Sequence, residues 1–270
     1  MNNAIFTRSR LKGNYYFHKN NNATSKTSGT RHYHDTFEIY YLKEGNCNYF
    51  IDNKSYEVER GDIILIPEGV IHKTIYSKYQ YTRWLINCTE DYIPKSVTPL
   101  IPSMIYLYRN PKIIPALENI FEKIEYEYES TDIFREEMLK CLTHELFYLF
   151  ARNFEERARV ATGNIFVEQT VKYIQQNYMT EISLPSMAKM RSVSPEHLSR
   201  TFRKETGFGF SEYLTLVRLQ KAEYMLKNEP GKSVSDVAYA CGFNDSNYFS
   251  DKFRKAYGIS PSKAKKHHDF

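Results

Sequence analysis

The sequence predicts a two-domain protein of the α+β class, with an N-terminal β-barrel followed by helices and a C-terminal domain built from helices alone. Its 270 residues exceed the usual size of one domain. The spacing of apolar residues changes from two to nearer four beyond Pro115, and one helical pattern occurs twice near the C-terminus. Hydrophobic residues make up 41% and charged residues 26%, which excludes a disordered or fibrous chain.

Cysteine usage and the lack of long apolar segments indicate where the protein works. Cys47, Cys88, Cys141 and Cys241 form no CxxC pair, which fits neither a zinc ribbon nor a disulfide framework. We expect all four to be buried or inert. The first residues lack the apolar core of a signal peptide, and no stretch approaches the roughly 18 apolar residues of a membrane helix. We therefore expect a cytoplasmic protein that does not associate with membranes.

Short strands dominate residues 31–87. Apolar and polar residues alternate in runs such as 37–42, 49–51 and 63–66, and Gly, Asn and Asp separate these runs. A barrel or sandwich is the natural closure, because it removes exposed strand edges.

Helices follow the strands. Four of the ten prolines lie between Tyr92 and Pro115, and two apolar helical stripes come after them. The first stripe comprises Leu117, Ile120, Phe121 and Ile124. The second, on a helix starting near residues 131–132, comprises Phe134, Met138, Cys141, Leu142, Glu145, Phe147, Leu149 and Phe150. These helices either cover one end of the β domain or form a helix-pair dimer interface.

A polar, Gly-containing segment at residues 159–164 marks the predicted domain boundary. We assign residues 1–160 to a first domain, whose helical part is 111–159, and residues 165–270 to a second. The helical part offers a route for coupling, because a ligand in the barrel could favour one arrangement of these helices and so change how the second domain is presented.

An internal repeat defines the second domain. Ala188 and Ala238 are 50 residues apart, whereas Phe202 and Phe253, like Gly207 and Gly258, are 51 apart. One inserted residue explains the difference. Each copy has a short helix with a small alanine, a turn, and a second helix that ends at glycine, which is typical of the helix-turn-helix motif.

The charge distribution points to a polyanionic partner. Residues 1–164 contain 21 Lys and Arg against 21 Asp and Glu, whereas residues 165–270 contain 16 against 11. Phosphate contacts dominate nucleic-acid affinity, so an excess of positive charge confined to the helix-turn-helix domain favours DNA.

The second helix of each motif supplies the candidate DNA contacts. Since the second helix of such a motif lies in the major groove, its early residues read bases and its later residues contact phosphates. The candidates are Pro195, Glu196, His197, Ser199, Arg200, Arg203, Lys204, Asp245, Ser246, Asn247, Ser250, Asp251, Lys252 and Arg254. Arg200 is the expected guanine reader, and Asn247 could pair with adenine or with a phosphate. The alternative is a pair of solvated helix faces.

Residues 197–207 and 238–250 together resemble the AraC family of regulators. The resemblance covers about the last hundred residues and implies two helix-turn-helix motifs joined by a long helix, here 211–226. It also implies that both second helices enter successive major grooves of double-stranded promoter DNA, often in a homodimer. One departure is Asp251, which stands where many members have a basic residue, so the second helix is expected to read DNA differently.

The N-terminal domain resembles the cupin barrel. The pattern comprises His32, His34, Glu38 and Gly45, then Gly61, Pro67, Gly69 and His72, although Lys26 replaces the leading glycine. Residues at even spacing on a strand share one face, so His32, His34 and Glu38 can converge with His72 inside a barrel. These four could hold a divalent metal or, with no metal committed, line an effector pocket together with Tyr40 and Trp84.

The AraC-family resemblance implies a transcription regulator that is not an enzyme and that responds to a small molecule, most often a sugar. An activator of this kind would also contact RNA polymerase. Two alternatives are open: an effector-independent regulator whose barrel only dimerises, and a metal-binding cupin sensor. No cofactor is expected beyond the metal of the second alternative.

Overall fold

The computed structural model describes residues 13–23, 36–52, 54–76, 80–103, 110–153 and 163–266. The chain folds into two compact units. Of the described residues, 13–52 and 56–153 belong to the N-terminal unit, and 163–266, with 54 and 55, belong to the C-terminal unit.

Seven strands occur in the described part of the chain, in two antiparallel sheets. They are β1 (Tyr15–Ala23), β2 (Phe37–Glu44), β3 (Asn46–Ile51), β4 (Lys54–Glu59), β5 (Ile63–Ile66), β6 (His72–Tyr76) and β7 (Tyr81–Cys88). One sheet has the order β1-β7-β2-β5 and the other β4-β3-β6.

The four-stranded sheet separates two apolar cores, because successive residues of a strand point to opposite faces. Tyr40 and Leu42 of β2 lie in a core shared with the three-stranded sheet, whereas Ile39 and Tyr41 lie in a second core on the other face. We call the space between the two sheets the barrel interior.

Two helices, α1 (Ile114–Glu129) and α2 (Arg135–Asn153), cover the second core. Short 3-10 turns at Glu90–Tyr92, Thr98–Ser103 and Pro111–Ile113 precede them. The ring of Phe121 stacks on that of Tyr41 at 5.7 Å, and the Tyr41 hydroxyl donates to Glu118 at 2.7 Å. A hydrogen bond at the edge of this ring contact therefore also holds α1 to strand β2.

The predicted stripe of α2 is partly wrong. Phe134 is 62% exposed, and Met138 and Cys141 are also exposed. Of the four cysteines expected to be buried or inert, the other three are buried. The buried side chains are Leu139, Leu142, Thr143, Leu146, Phe147 and Phe150. The helix is rotated relative to the prediction, since the spacing 139, 142, 146, 150 describes one face just as well. The exposed apolar residues leave this helix pair an uncovered surface.

The C-terminal unit contains helices and no strand among its residues 163–266. They are α3 (Ile165–Asn177), α4 (Leu184–Met190), α5 (Pro195–Thr206), α6 (Phe210–Asn228), α7 (Val234–Ala240), α8 (Ser246–Tyr257) and α9 (Pro261–Lys266). The pairs α4–α5 and α7–α8 are the two predicted motifs, and the predicted long helix between them is α6.

Local sequence explains the repeat. Ala188 and Ala238 are fully buried, which lets the helices of each pair approach closely. Serine capping boxes begin α4 and α7. Both second helices end at a glycine with φ of +72°, Gly207 and Gly258. The predicted fold class and the repeat are confirmed. None of the described helices is both long and apolar enough to cross a membrane.

Candidate nucleic-acid interface and ligand site

Helix α5 presents a polar face to solvent. The Ser194 side chain accepts a hydrogen bond from the backbone N–H of His197 at 3.1 Å and so fixes the first turn, as predicted. Leu198 and Phe202 are buried, and the ring of Phe202 packs edge-on against Tyr213. The outward residues are Pro195, Glu196, His197, Ser199, Arg200, Arg203 and Lys204.

The cations on this face are available to a partner. Within the described part of the chain, Arg200, Arg203 and Lys204 form no ion pair with a carboxylate. All three are exposed, and Arg203 and Lys204 lie one turn after Arg200 on the same helix. Such a row matches the spacing needed to contact a phosphate backbone and base edges together.

Helix α8 repeats this arrangement with one correction. Helical spacing predicts that Tyr248, Phe249 and Phe253 all face the core. Phe249 and Phe253 are fully buried, but Tyr248 is 50% exposed. Its ring lies under Lys252 Nζ at 5.2 Å. Tyr248 is therefore part of the outward face, beside Ser246, Asn247, Ser250, Lys252 and Arg254.

Two acidic residues of this second face are already engaged. The Asp245 carboxylate accepts a hydrogen bond from the backbone N–H of Tyr248 at 2.6 Å and caps α8. The Asp251 carboxylate lies 2.7 Å from Lys255 Nζ and 3.7 Å from Arg254. The hydrogen bond from Lys255 lowers the pKa of the Asp251 carboxyl. An ionised Asp251 therefore offsets part of the positive charge of α8.

Arg218 and Gly242 connect the two motifs. The sequence indicates only that Gly242 belongs to the turn of the second motif, and it gives no signal for Arg218. Arg218 of α6 donates from Nε to the Tyr178 carbonyl and from Nη2 to the Thr180 carbonyl, both at 2.8 Å. Gly242 lies in the turn between α7 and α8, and a Cβ there would be 2.5 Å from the same Tyr178 carbonyl oxygen. The end of α3 is thus held between the long helix and the second motif.

The barrel interior contains a hydrogen-bonded polar cluster around Glu38. The Tyr49 hydroxyl donates to the Glu38 carboxylate at 2.6 Å, and Asn87 Nδ2 donates to it at 3.3 Å. His72 Nε2 is 3.7 Å from the same carboxylate, and His72 Nδ1 donates to the Val70 carbonyl at 2.8 Å. Glu38 and His72 are both buried, so the structure brings together two of the predicted site residues.

Tyr40 lies in the same interior, whereas Trp84 does not. Tyr40 is buried beside Tyr49, with ring centroids 5.2 Å apart. Trp84 is 1% exposed and lies opposite Tyr41 in the sheet, so it points to the helix-covered face. Its ring centroid is 5.2 Å from that of Phe121. Because directly opposed residues share one face of a sheet, the structure does not bring Trp84 together with Glu38, Tyr40 and His72. That Trp84 contacts an effector stays a prediction.

The other two predicted site residues, His32 and His34, lie outside the described residues. In the described part of the chain, no group of three or more His, Cys, Asp or Glu is placed to hold a metal ion. Glu38 and His72 supply only two oxygen or nitrogen ligands, fewer than a first-row metal needs. The metal alternative stays a prediction.

Arg83 is an interior residue that the sequence analysis missed. It follows Tyr81 and precedes Leu85 on the same face of β7. The centre of its guanidinium is 5.8 Å from the Tyr40 ring centroid. The signal in the sequence is the one cation of strand β7. Using that signal requires knowing which face of the strand points inward.

The helix-turn-helix motif occurs twice, and the second helix of each copy has a polar, largely basic outward face. The β-rich unit has a buried polar cluster between its sheets. This combination is that of a DNA-binding transcription regulator with a ligand-binding domain. The family model of an AraC-like ligand binding domain matches residues 18–147, and that of a helix-turn-helix domain matches residues 187–267. The chain belongs to the AraC family of transcription regulators.

Curated relatives align over most of their length. The chain is 23% identical over 242 residues to the HTH-type transcriptional activator RhaR of Mannheimia succiniciproducens, covering 86% of this chain and 85% of the relative. It is 25% identical over 244 residues to the Msm operon regulatory protein of Streptococcus mutans serotype c, covering 86% and 84%. It is 26% identical over 242 residues to the HTH-type transcriptional activator RhaS of Klebsiella pneumoniae, covering 85% of each. These relatives are regulators and not enzymes.

Proposed function

We propose that this protein is a small-molecule-responsive transcription activator whose helices α5 and α8 enter successive major grooves of promoter DNA. The observation that carries the proposal is the row of exposed, unpaired cations on α5, repeated in weaker form on α8. Activation is favoured by the relatives, two of which are named transcriptional activators. An activator bound at a promoter would also contact RNA polymerase.

The two second helices have different roles in this proposal. Helix α5 supplies most of the specific contacts, with Arg200 reading guanine and with Arg203 and Lys204 on phosphates. On α8 the acidic Asp251 lies among the cations, so that helix contributes less affinity and a different base preference. Asn247, exposed in its first turn, is the base-reading candidate there.

The test is the removal of Arg200 from the full chain. A site is first selected from random duplexes, and dissociation constants are then measured on that site and on random DNA. Arg200→Ala should cost about 1–3 kcal/mol on the selected site and relax the preference at one position. Arg60→Ala, which removes an exposed arginine from the turn between β4 and β5, is the matched control and should change neither constant. Equal losses on both DNAs would make Arg200 a phosphate contact.

Asp251 gives a prediction of the opposite sign. Asp251→Asn removes a carboxylate close to the DNA phosphates and releases Lys255 and Arg254 from their ion pairs. We expect about two- to fivefold tighter binding at low salt, with the gain shrinking as salt rises. The measurement is the same binding titration at several salt concentrations.

The control for that experiment is Glu229→Gln, which breaks the exposed pair with Lys232 just after α6, outside α5, α8 and the proposed dimer surface. It should leave DNA affinity unchanged. Weaker binding by Asp251→Asn would instead identify Asp251 as a base contact, because a carboxylate can accept from the cytosine amino group.

The barrel interior is the proposed effector site, and a sugar is the expected class of ligand. The interior offers hydrogen-bonding groups from Glu38, His72 and Tyr40 among aromatic rings, which suits a small polar molecule. The protein would act as a homodimer through the exposed apolar side chains of α1 and α2, which include Tyr126, Phe134 and Met138. Ligand binding would bias the arrangement of these helices and so the occupancy of the promoter.

A further inference from the structure

Arg83 lies in the barrel interior, and none of the residues that the structure describes forms an ion pair with it. Its Nε is inaccessible to solvent, and among the residues that the structure describes no acceptor lies within hydrogen-bond distance of it. The centre of its guanidinium lies 5.8 Å from the centroid of the Tyr40 ring. Arg83 as a whole is half-buried. Even a partly desolvated cation without a carboxylate partner is costly for a protein to keep.

The acid of the barrel interior, Glu38, does not serve as that partner. Arg83 lies opposite Leu42 of β2, four residues further along the strand than Glu38, or about 13 Å at ~3.3 Å per residue. Tyr49 and Asn87 occupy the oxygens of the Glu38 carboxylate. The barrel interior therefore has two polar layers. One is centred on the hydrogen-bonded carboxylate of Glu38. The other is centred on the guanidinium of Arg83, which pairs with no carboxylate of the described residues.

The guanidinium keeps its charge in this setting. Burial acts to lower the pKa of Arg83, but the surrounding Tyr76, Tyr40 and Glu38 together raise it above its ordinary value. The aromatic ring of Tyr40 also lies beside it, and the Tyr40 hydroxyl lies 3.5 Å from Cys47 Sγ. The layer around Arg83 thus combines a fixed positive charge with rings and hydroxyl groups.

We propose that Arg83 anchors a carboxylate of the effector, so that the ligand is a carboxylate-bearing small molecule such as a sugar acid and not a neutral sugar. The proposal rests on the proposed function only in taking the barrel interior as the effector site. A planar guanidinium matches a carboxylate in shape and can bind both oxygens at once. A single cation balances one negative charge, which favours a carboxylate over a doubly charged phosphate.

The experiment is a set of thermal melts of the full chain with matched ligands. For glucose, galactose and mannose, the neutral hexose is compared with its uronate and its 6-phosphate. At about a hundred times its dissociation constant, a bound uronate should raise the melting temperature by about 5–10 °C. The neutral hexose should give little or no shift.

Variants assign the shift to Arg83. Arg83→Gln should abolish the uronate shift, Arg83→Lys should retain part of it, and the exposed-residue control Arg152→Gln should retain all of it. Without ligand, Arg83→Gln should melt at or above the wild-type temperature, because it removes an unpaired charge. That result also shows that the variant folds.

The proposal is overturned if no uronate raises the melting temperature of the wild type, or if a neutral hexose or a 6-phosphate raises it as much as the uronate does. It is also overturned if the uronate still raises the melting temperature of Arg83→Gln. A ligand-free Arg83→Gln that melts several degrees lower, with no uronate response in the wild type, would give Arg83 a packing role against Tyr40. DNA affinity is not measured in these melts, so a failure here leaves the DNA-binding proposal standing, and the reverse also holds.

Discussion

Replacing Trp84 with alanine should lower the free energy of unfolding of the N-terminal unit by about 3–5 kcal/mol. The indole is 1% exposed and packs between Tyr41 and Phe121 under α1. Its loss leaves a cavity where the sheet meets the helix, and a rigid sheet cannot collapse to fill it. Urea unfolding followed by far-UV circular dichroism is the measurement, since the only tryptophan is removed.

Trp84→Phe is the matched control. Among the described residues the indole N–H has no hydrogen-bond acceptor, so phenylalanine gives up no hydrogen bond and keeps the aromatic contacts. It should cost about 1–2 kcal/mol. A Trp84→Ala variant that is as stable as the wild type but no longer responds to ligand would contradict the structure and place Trp84 in the effector site.

The C-terminal unit could be predicted closely because its rules are local. Ser194 caps α5 and Gly258 ends α8, and each depends on the few residues around it. Leu198, Phe202, Phe249 and Phe253 are buried as their helical spacing predicts. Tyr248 was misplaced because an aromatic residue beside Phe249 fits either edge of the apolar stripe.

The faces of the β unit could not be predicted in the same way. Trp84 and Arg83 are neighbours, and only the pairing of β7 with β2 decides which of them enters the barrel interior. That pairing joins strands about forty residues apart, and a shift of one residue exchanges the two faces. The alternation of apolar and polar residues predicts where the strands are but not how they pair. Without the pairing, Trp84 was assigned to the ligand site and Arg83 was overlooked.

Gly242→Ala should be the most disruptive single change in the C-terminal unit, costing about 2–5 kcal/mol of its stability. The residue has φ of +83°, which strains any side chain, and its new Cβ would lie 2.5 Å from the Tyr178 carbonyl oxygen and 2.9 Å from that of Met179. Both obstacles are backbone atoms, and Arg218 already holds the first of them. Unfolding curves and DNA titrations on the full chain measure the effect.

Gly258→Ala separates the two causes of that loss. Gly258 has φ of +72°, but no atom lies within 4 Å of a Cβ built on it, so alanine there adds conformational strain alone, about 1–2 kcal/mol. The additional loss of stability in Gly242→Ala then measures the close approach of the second motif to the end of α3.

That contact is expected to fix the spacing of α5 and α8. Gly242→Ala should therefore weaken binding to a two-groove site at least about tenfold at a temperature where the variant is still folded, because one helix no longer fits its groove. Equal stability and equal DNA affinity for the two variants would mean that the turn yields without moving α8, and that Arg218 and Gly242 do not set the spacing.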